Sequence, residues 1–159
     1  MKFKKFLAVA LLMVLLCGCS GKPKLEGGRW YIDDINSTVR TVVEFEKDTG
    51  LISVCYVLID EGRAERTGVS NIQYEFEKYR YTDYGENIPK EYNDGTDTSA
   101  FAVYDTEEDF KAKENPFVTY YHFEGKNLVV NGNVCLPLEG ELAEETDRII
   151  EKNKAAIGE

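Results

Sequence analysis

Short segments in which apolar and polar residues alternate, each ended by a turn, fill most of this 159-residue chain. Thr41–Glu46 alternates with a period of two and stops at a glycine-bearing turn over Lys47–Gly50. Leu51–Ile59 follows and is apolar at both odd and even positions, as a strand covered on both faces would be. A period of two is the signature of β-strands, so the chain is predicted to be mainly β.

Later segments carry the same signal. Between residues 72 and 81 the apolar positions change parity after Phe76 and continue at Tyr79, which predicts a β-bulge near Lys78. Phe76 is expected to pack in the core, because aromatic residues of strands usually do. Further strands are predicted at Ser99–Tyr104, Phe117–Phe123, Leu128–Val130 and Val134–Leu138.

Two helical segments are predicted as well. Glu107–Glu114 is long enough for two helical turns, and near the C-terminus Leu142, Ile149, Ile150 and Ile157 fall on one helical face. Acidic residues at the start of this C-terminal segment and lysines at its end suit the helix dipole. The chain is therefore predicted to form eight or nine antiparallel strands and a C-terminal helix, arranged either as a closed barrel or as a two-sheet β-sandwich.

The N-terminus has the order of features found in secretory signals. Lys2, Lys4 and Lys5 precede an apolar run over Phe6–Cys17, which is much shorter than the roughly 20 residues of a membrane-spanning helix. A basic region followed by a short apolar run is typical of a signal peptide. Residues 1–18 are therefore interpreted as a signal peptide that is removed.

The end of the apolar run resembles the lipobox of bacterial lipoproteins, and it reads Leu16-Cys17-Gly18-Cys19. The resemblance implies that Cys19 receives a diacylglyceryl group, that the peptidase cuts after Gly18, and that the new amino terminus is acylated. Cys17 is the alternative target, but Leu16 before it is too bulky for the small position, so Cys19 is preferred. Residues 19–26 would then be the lipidated cysteine and a tether on a bacterial membrane.

Charge excludes two classes of partner. Removal of residues 1–18 leaves 16 basic and 29 acidic side chains, so the formal net charge changes from −10 to −13. A field of this sign repels nucleic-acid phosphates and anionic lipid surfaces. The remaining residues 27–159 have the length of a single domain. The predicted protein is extracytoplasmic, contacts the membrane through its lipid, and binds no nucleic acid.

Two segments resemble parts of lipocalin-like barrels. The first is Leu25-Glu26-Gly27-Gly28-Arg29-Trp30-Tyr31, which contains the Gly-x-Trp opening of these barrels. The second is Tyr121-His122-Phe123-Glu124-Gly125-Lys126-Asn127-Leu128-Val129-Val130, which resembles a late hairpin of small bacterial barrels. The resemblance covers roughly residues 25–138 and implies a cup-shaped barrel with Trp30 closing one end.

Signals of catalysis or metal binding are few. His122 is the only histidine and has no nucleophile or second ligand at motif spacing, so it is interpreted as a structural residue. The acidic residues between positions 94 and 109 do not match the twelve-residue calcium loop and are interpreted as solvated surface. No catalytic residue, metal or cofactor is assigned, although a carboxylate-dependent hydrolase carries no local signature.

The segment Asp83–Asp97 has no periodicity and is long for a connection between strands. Such connections tend to be lids or binding loops, and hairpin barrels are expected to carry them at the open rim. The segment is therefore the candidate loop for a small ligand or an envelope protein. Its candidate contact residues combine aromatic rings with carboxylates, and they are Tyr81, Tyr84, Tyr92, Asp94 and Asp97.

Two cysteines remain after lipidation. Cys55 and Cys135 are an even pair in a non-cytoplasmic compartment and could form one disulfide. The alternative is a pair of unbonded thiols, because Cys55 lies on a strand that is apolar on both faces whereas Cys135 alternates with Val134, Leu136 and Leu138 and is expected to point away from the core that they fill.

Three functions remain open from the sequence. The first is a surface-exposed lipoprotein whose lipocalin-like barrel binds a small or extended ligand, or a partner protein, through its open end. The second is an envelope interaction or inhibitor module with a filled barrel, in which loops such as Asp83–Asp97 bind the partner. The third and least favoured is a carboxylate-dependent hydrolase. A continuous cavity inside the barrel would distinguish the first from the second.

Overall fold

A computed structural model describes residues 23–34, 38–60, 74–96 and 98–157. Eight strands fall within these residues, each pairs antiparallel with its neighbour in sequence, and the last pairs with the first. The sheet is therefore a closed barrel, which confirms the predicted mainly-β lipocalin-like architecture and excludes the sandwich. The strands are β1 (Arg29–Asp33), β2 (Val39–Phe45), β3 (Leu51–Leu58), β4 (Tyr74–Gly85), β5 (Ser99–Tyr104), β6 (Phe117–Glu124), β7 (Asn127–Val130) and β8 (Asn133–Pro137).

Both predicted helices are present. Helix α1 (Glu107–Ala112) connects β5 to β6 and begins after Thr106, whose hydroxyl accepts the Asp109 N–H at 3.0 Å. Helix α2 (Gly140–Ile157) follows β8 and lies on the outer wall of the barrel. No helix in the described part of the chain is long and apolar enough to cross a bilayer.

Helix α2 covers the outer face of β2 and β3. Its Ile150 packs in one cluster with Val42, Cys55 and Val57, which face outward from these strands. The inward-facing residues of β3, such as Ile52, belong to the barrel interior instead. Both faces of β3 are therefore covered, which explains why its sequence is apolar at odd and even positions alike.

A buried arginine ties α2 to the sheet. Arg40 points outward from β2, and its guanidinium donates to the Thr146 hydroxyl of α2 at 2.8 Å. The same guanidinium pairs with Asp33 at 2.7 Å, so the charge has a counter-charge although it is removed from water. Arg29 and Asp147 form a second ion pair between the barrel and the helix. The position of α2 is thus fixed by polar contacts as well as by apolar packing.

One end of the barrel, here called the closed end, is filled by Leu25 and by an aromatic cluster around Trp30. The Trp30 ring meets Phe45 edge-on with centroids 6.0 Å apart, and its indole N–H donates to the Lys126 carbonyl at 3.1 Å. A Cβ on Gly28 would come within 2.0 Å of the Trp30 ring, so only glycine allows this close approach. Trp30 therefore closes one end, as the lipocalin resemblance implies.

The predicted β-bulge near Lys78 is wrong. The pairing of β3 with β4 is continuous, and the register shift in β4 lies later, between Asp83 and Gly85. Tyr79 and Phe76 differ in parity because they face opposite sides of a regular strand. Tyr79 faces the interior, whereas Phe76 points outward at the edge of the surface under α2 and is 48% exposed. The expected packing of Phe76 in the core is therefore also wrong.

Candidate functional site

Side chains fill the barrel interior at the closed end but not at the other end. A cavity of about 520 Å³ extends from Phe45 to the end opposite Trp30, here called the open end, which is marked by Ile32, Asp105 and Phe117. Phe117 is on the inward-facing side of β6 and is nevertheless 67% exposed, because the described residues leave this end uncovered. The volume lies within the range of small-molecule binding sites.

The cavity wall is predominantly apolar. Because successive strand residues point to opposite faces, alternate residues face inward, and each of the eight strands contributes one or two side chains to the cavity lining. The apolar lining residues are Ile32, Val43, Phe45, Ile52, Val54, Phe101, Val103, Phe117, Leu128, Val130 and Cys135. Water finds few hydrogen-bonding partners on such a wall, so the cavity suits a ligand with an apolar body.

Polar groups of the lining concentrate at the open end. Asp105 follows β5, and Asn131 and Asn133 flank the turn between β7 and β8. The other two polar side chains among these lining residues are Tyr79 and Thr119, and Thr119 is buried in β6. A few polar groups at the mouth of an apolar cavity can orient a ligand whose polar end stays near water.

Tyr79 connects the apolar wall to a second carboxylate. A hydrogen bond with Glu77 raises the pKa of the Tyr79 hydroxyl, partial burial raises it further, and the charges of Glu77 and Asp105 add to the effect. The hydroxyl therefore stays protonated at neutral pH and donates to Glu77. Glu77 pairs across the sheet with Val54, a residue of the cavity wall. In the described part of the chain, two carboxylates thus lie near the mouth, Glu77 on β4 and Asp105 directly after β5.

The two described cysteines lie on opposite sides of the barrel wall. Cys135 faces the cavity and packs in the core, so its expected orientation away from the core is wrong. Burial raises the pKa of its thiol, which keeps it protonated. Cys55 faces outward into the cluster beneath α2. The two are not bonded to each other. The disulfide considered from the sequence does not form, because the sheet separates the two side chains.

The candidate loop Asp83–Asp97 lies at the closed end and not at the open rim. Its first three residues belong to β4, contrary to the prediction, and the rest leads to the start of β5. Asp83 accepts a hydrogen bond at 2.9 Å from Tyr121 of the closed-end cluster. In an up-and-down barrel every connection that follows an even-numbered strand returns to the end where β1 begins, which here is the end closed by Trp30. The predicted placement at the open rim is therefore wrong.

The structure does not bring the predicted loop residues into one site. Tyr81 is buried in the closed-end core, where its ring meets Phe45 edge-on at 5.1 Å between centroids. Asp94 is exposed, and its carboxylate accepts hydrogen bonds from the backbone N–H and the hydroxyl of Thr96. The prediction for Asp97 falls outside the described residues.

Tyr84 and Tyr92 are the two predicted residues that do meet. Their rings are stacked with centroids 6.3 Å apart and an interplanar angle of 23°. The loop is held against the outer wall, because the Tyr120 hydroxyl donates to the Tyr92 carbonyl. Burial and the neighbouring Tyr104 hydroxyl raise the pKa of Tyr84, so this tyrosine stays neutral. Neither ring of the pair lines the cavity.

His122 lies on the outer face of β6, where its Nε2 is 3.4 Å from the Glu124 carboxylate. It does not line the cavity. Among the residues that the structure describes, no three His, Cys, Asp or Glu side chains are grouped closely enough to hold a metal ion. Glu77 and Tyr79 were not predicted as site residues, and the signal that pointed to them is the change of parity along β4, which places both side chains inward. Asp105 follows β5, and the sequence indicates only solvated surface for it.

No protein-family model matches the chain, and comparisons with curated proteins and with solved structures also found no match. The geometry of the cavity therefore carries the functional conclusion.

Proposed function

We propose that this protein is an extracytoplasmic lipoprotein that binds a small ligand with an apolar body inside its barrel, through the open end. The observation that carries the proposal is the cavity of about 520 Å³ with an apolar wall and a polar mouth. Transfer of an apolar molecule into it removes apolar surface from water, at roughly 25 cal/mol per Å². A cavity of this size favours a ligand-binding barrel over the module with a filled interior.

The location is part of the same proposal and rests on residues 1–19, which lie outside the described residues. A basic region, a short apolar run and the Gly18-Cys19 pair follow in the order that lipoprotein signals use. Two or three acyl chains on Cys19 would hold the barrel on the membrane, since each buried methylene contributes about 0.8 kcal/mol.

Filling the cavity with a larger side chain tests the ligand site. We expect the purified protein to bind the neutral fluorescent probe N-phenyl-1-naphthylamine, one probe per barrel, and Val103→Trp to weaken this binding at least about tenfold. Val103 lies on β5 with its side chain in the cavity, so an indole there occupies space that the probe needs. A fluorescence titration measures the affinity and the stoichiometry.

Val134→Trp is the matched control. Val134 faces outward from β8 and is 44% exposed, so the same change leaves the cavity as it was. Equal probe affinity of the two folded variants would contradict the cavity site, as would a folded wild-type protein that binds no probe. Circular dichroism checks the fold, and Val43→Phe replaces Val103→Trp if the latter does not fold.

Shortening the candidate loop, which lies at the closed end, tests the alternative function, an interaction module that binds its partner through this loop. We expect replacement of residues 86–97 by a short glycine-bearing turn to leave probe affinity within about twofold, because the loop lies at the end opposite the cavity mouth. The truncated protein should still melt cooperatively, since closure entropy changes slowly with loop length. If the truncated protein melts cooperatively but no longer binds the probe, the binding site lies in the loop and not in the cavity.

A further inference from the structure

We propose that the ligand is a cationic amphiphile, with its apolar body in the cavity and a protonated amine at the open end, beside Glu77 and Asp105. This inference rests on the proposed function, since it names the chemical class of ligand for the same cavity. It is carried by the distribution of charge around the mouth.

Among the described residues, the charged groups that face the cavity are carboxylates. Asp105 lines the mouth, and Glu77 is hydrogen-bonded to the Tyr79 hydroxyl in the wall. No lysine, arginine or histidine is among the described residues that line the cavity. An anionic headgroup at the mouth would meet two like charges and would find no cation to replace its hydration. A protonated amine would instead gain two counter-charges.

The basic residues of β4 do not neutralise this site. Lys78 and Arg80 have the parity of the outer wall, and each has its own carboxylate partner. Lys78 pairs with Glu46 at 2.6 Å, and Arg80 pairs with Glu107 at 2.7 Å. Residues 61–73 of the β3–β4 connection lie outside the described residues and contain two glutamates and two arginines, so they add no net charge.

The remaining groups at the mouth also suit an ammonium. It carries three N–H donors and no acceptor, so it needs oxygen atoms around it. Asn131 and Asn133 add side-chain carbonyl oxygens to the carboxylates of Asp105 and Glu77. The amine can remain partly hydrated there while the apolar body is buried, which avoids the cost of full desolvation of the charge. The net charge of −13 that remains after removal of residues 1–18 attracts cations over a longer range as well.

Competition by three compounds that have alkyl chains of similar length but different headgroups tests the charge preference. Decylammonium and decanoate below their micelle concentrations, and decanol below its solubility limit, compete with N-phenyl-1-naphthylamine for the purified protein. We expect decylammonium to bind roughly fivefold or more tighter than decanol, and decanoate to bind most weakly. Glu77→Gln and Asp105→Asn should each reduce the advantage of decylammonium over decanol by about twofold. High salt should reduce it too.

Glu91→Gln is the control for net charge, because Glu91 is an exposed acid of the closed-end loop. We expect this variant to keep the wild-type preference. Equal affinity for decylammonium and decanol, or tighter binding of decanoate, would overturn the cationic ligand and leave the proposed function intact. If Glu91→Gln reduces the preference for decylammonium over decanol as much as Asp105→Asn does, the carboxylates at the mouth do not cause this preference. Failure of the probe itself to bind would overturn both proposals.

Discussion

Phe45→Ala is expected to lower the free energy of unfolding by about 3–5 kcal/mol. Phe45 is fully buried where the closed-end cluster borders the cavity, and the rings of Trp30, Tyr81 and Phe101 meet it edge-on with centroids 5.1–6.0 Å away. Truncation removes these three ring contacts and adds a void to the existing cavity. Equilibrium unfolding in urea measures the change, with the fluorescence of Trp30, the only tryptophan, as the signal.

Phe117→Ala is the matched control for this prediction. Phe117 faces the same interior but lies at the open end and is 67% exposed. Its truncation is expected to change the free energy of unfolding by less than about 1 kcal/mol. Similar losses in the two variants would contradict the conclusion that the closed end holds the core and the open end holds the site.

Cys19→Ala is expected to abolish lipid attachment completely, because the thiol of Cys19 is the proposed acceptor of the diacylglyceryl group. The precursor should accumulate without cleavage after Gly18, and no fatty-acid label should enter the protein. Metabolic labelling with a clickable fatty acid in a bacterial host measures both results on one gel.

Cys17→Ala is the control for the site of attachment, since Cys17 is two positions away in the same segment. It should leave both labelling and cleavage close to those of the wild type. Label that persists in Cys19→Ala and disappears in Cys17→Ala would move the attachment to Cys17. Label in neither wild type nor variants would remove the lipoprotein part of the proposed function.

The strands could be predicted from the sequence because the alternation in segments such as Thr41–Glu46 is a local property of the chain. Glycine-bearing turns between the strands are local as well, and together they indicate antiparallel neighbours. The position of Trp30 at one end followed from the Gly-x-Trp resemblance. The pairing of β1 with β8, which closes the barrel, joins residues far apart in the sequence and has no local signal, so strand alternation alone left the β-sandwich open.

The site could not be predicted in the same way, because it depends on which face of β4 points inward. The usual rule places apolar Phe76 inside and Glu77 outside, and the structure reverses it. Phe76 can face outward because α2 covers part of the wall there, and Glu77 can face inward because it lies near an open mouth. Local sequence patterns mislead where another element covers the outer face of a strand or where water reaches its inner face, and such places are often functional.

The chain enters the barrel at the closed end, and with a lipid anchor this entry point would determine which end of the barrel faces the membrane. Leu25 is buried there, and the Gly27 N–H donates to the Phe45 carbonyl at 2.7 Å, so the tether is fixed to that end. With acyl chains on Cys19, the five residues 20–24 span at most about 18 Å when fully extended. The closed end would then lie nearest the bilayer, and the mouth would face away from it. Ligand exchange would take place with the aqueous phase or with a soluble donor, and not with the leaflet that holds the anchor.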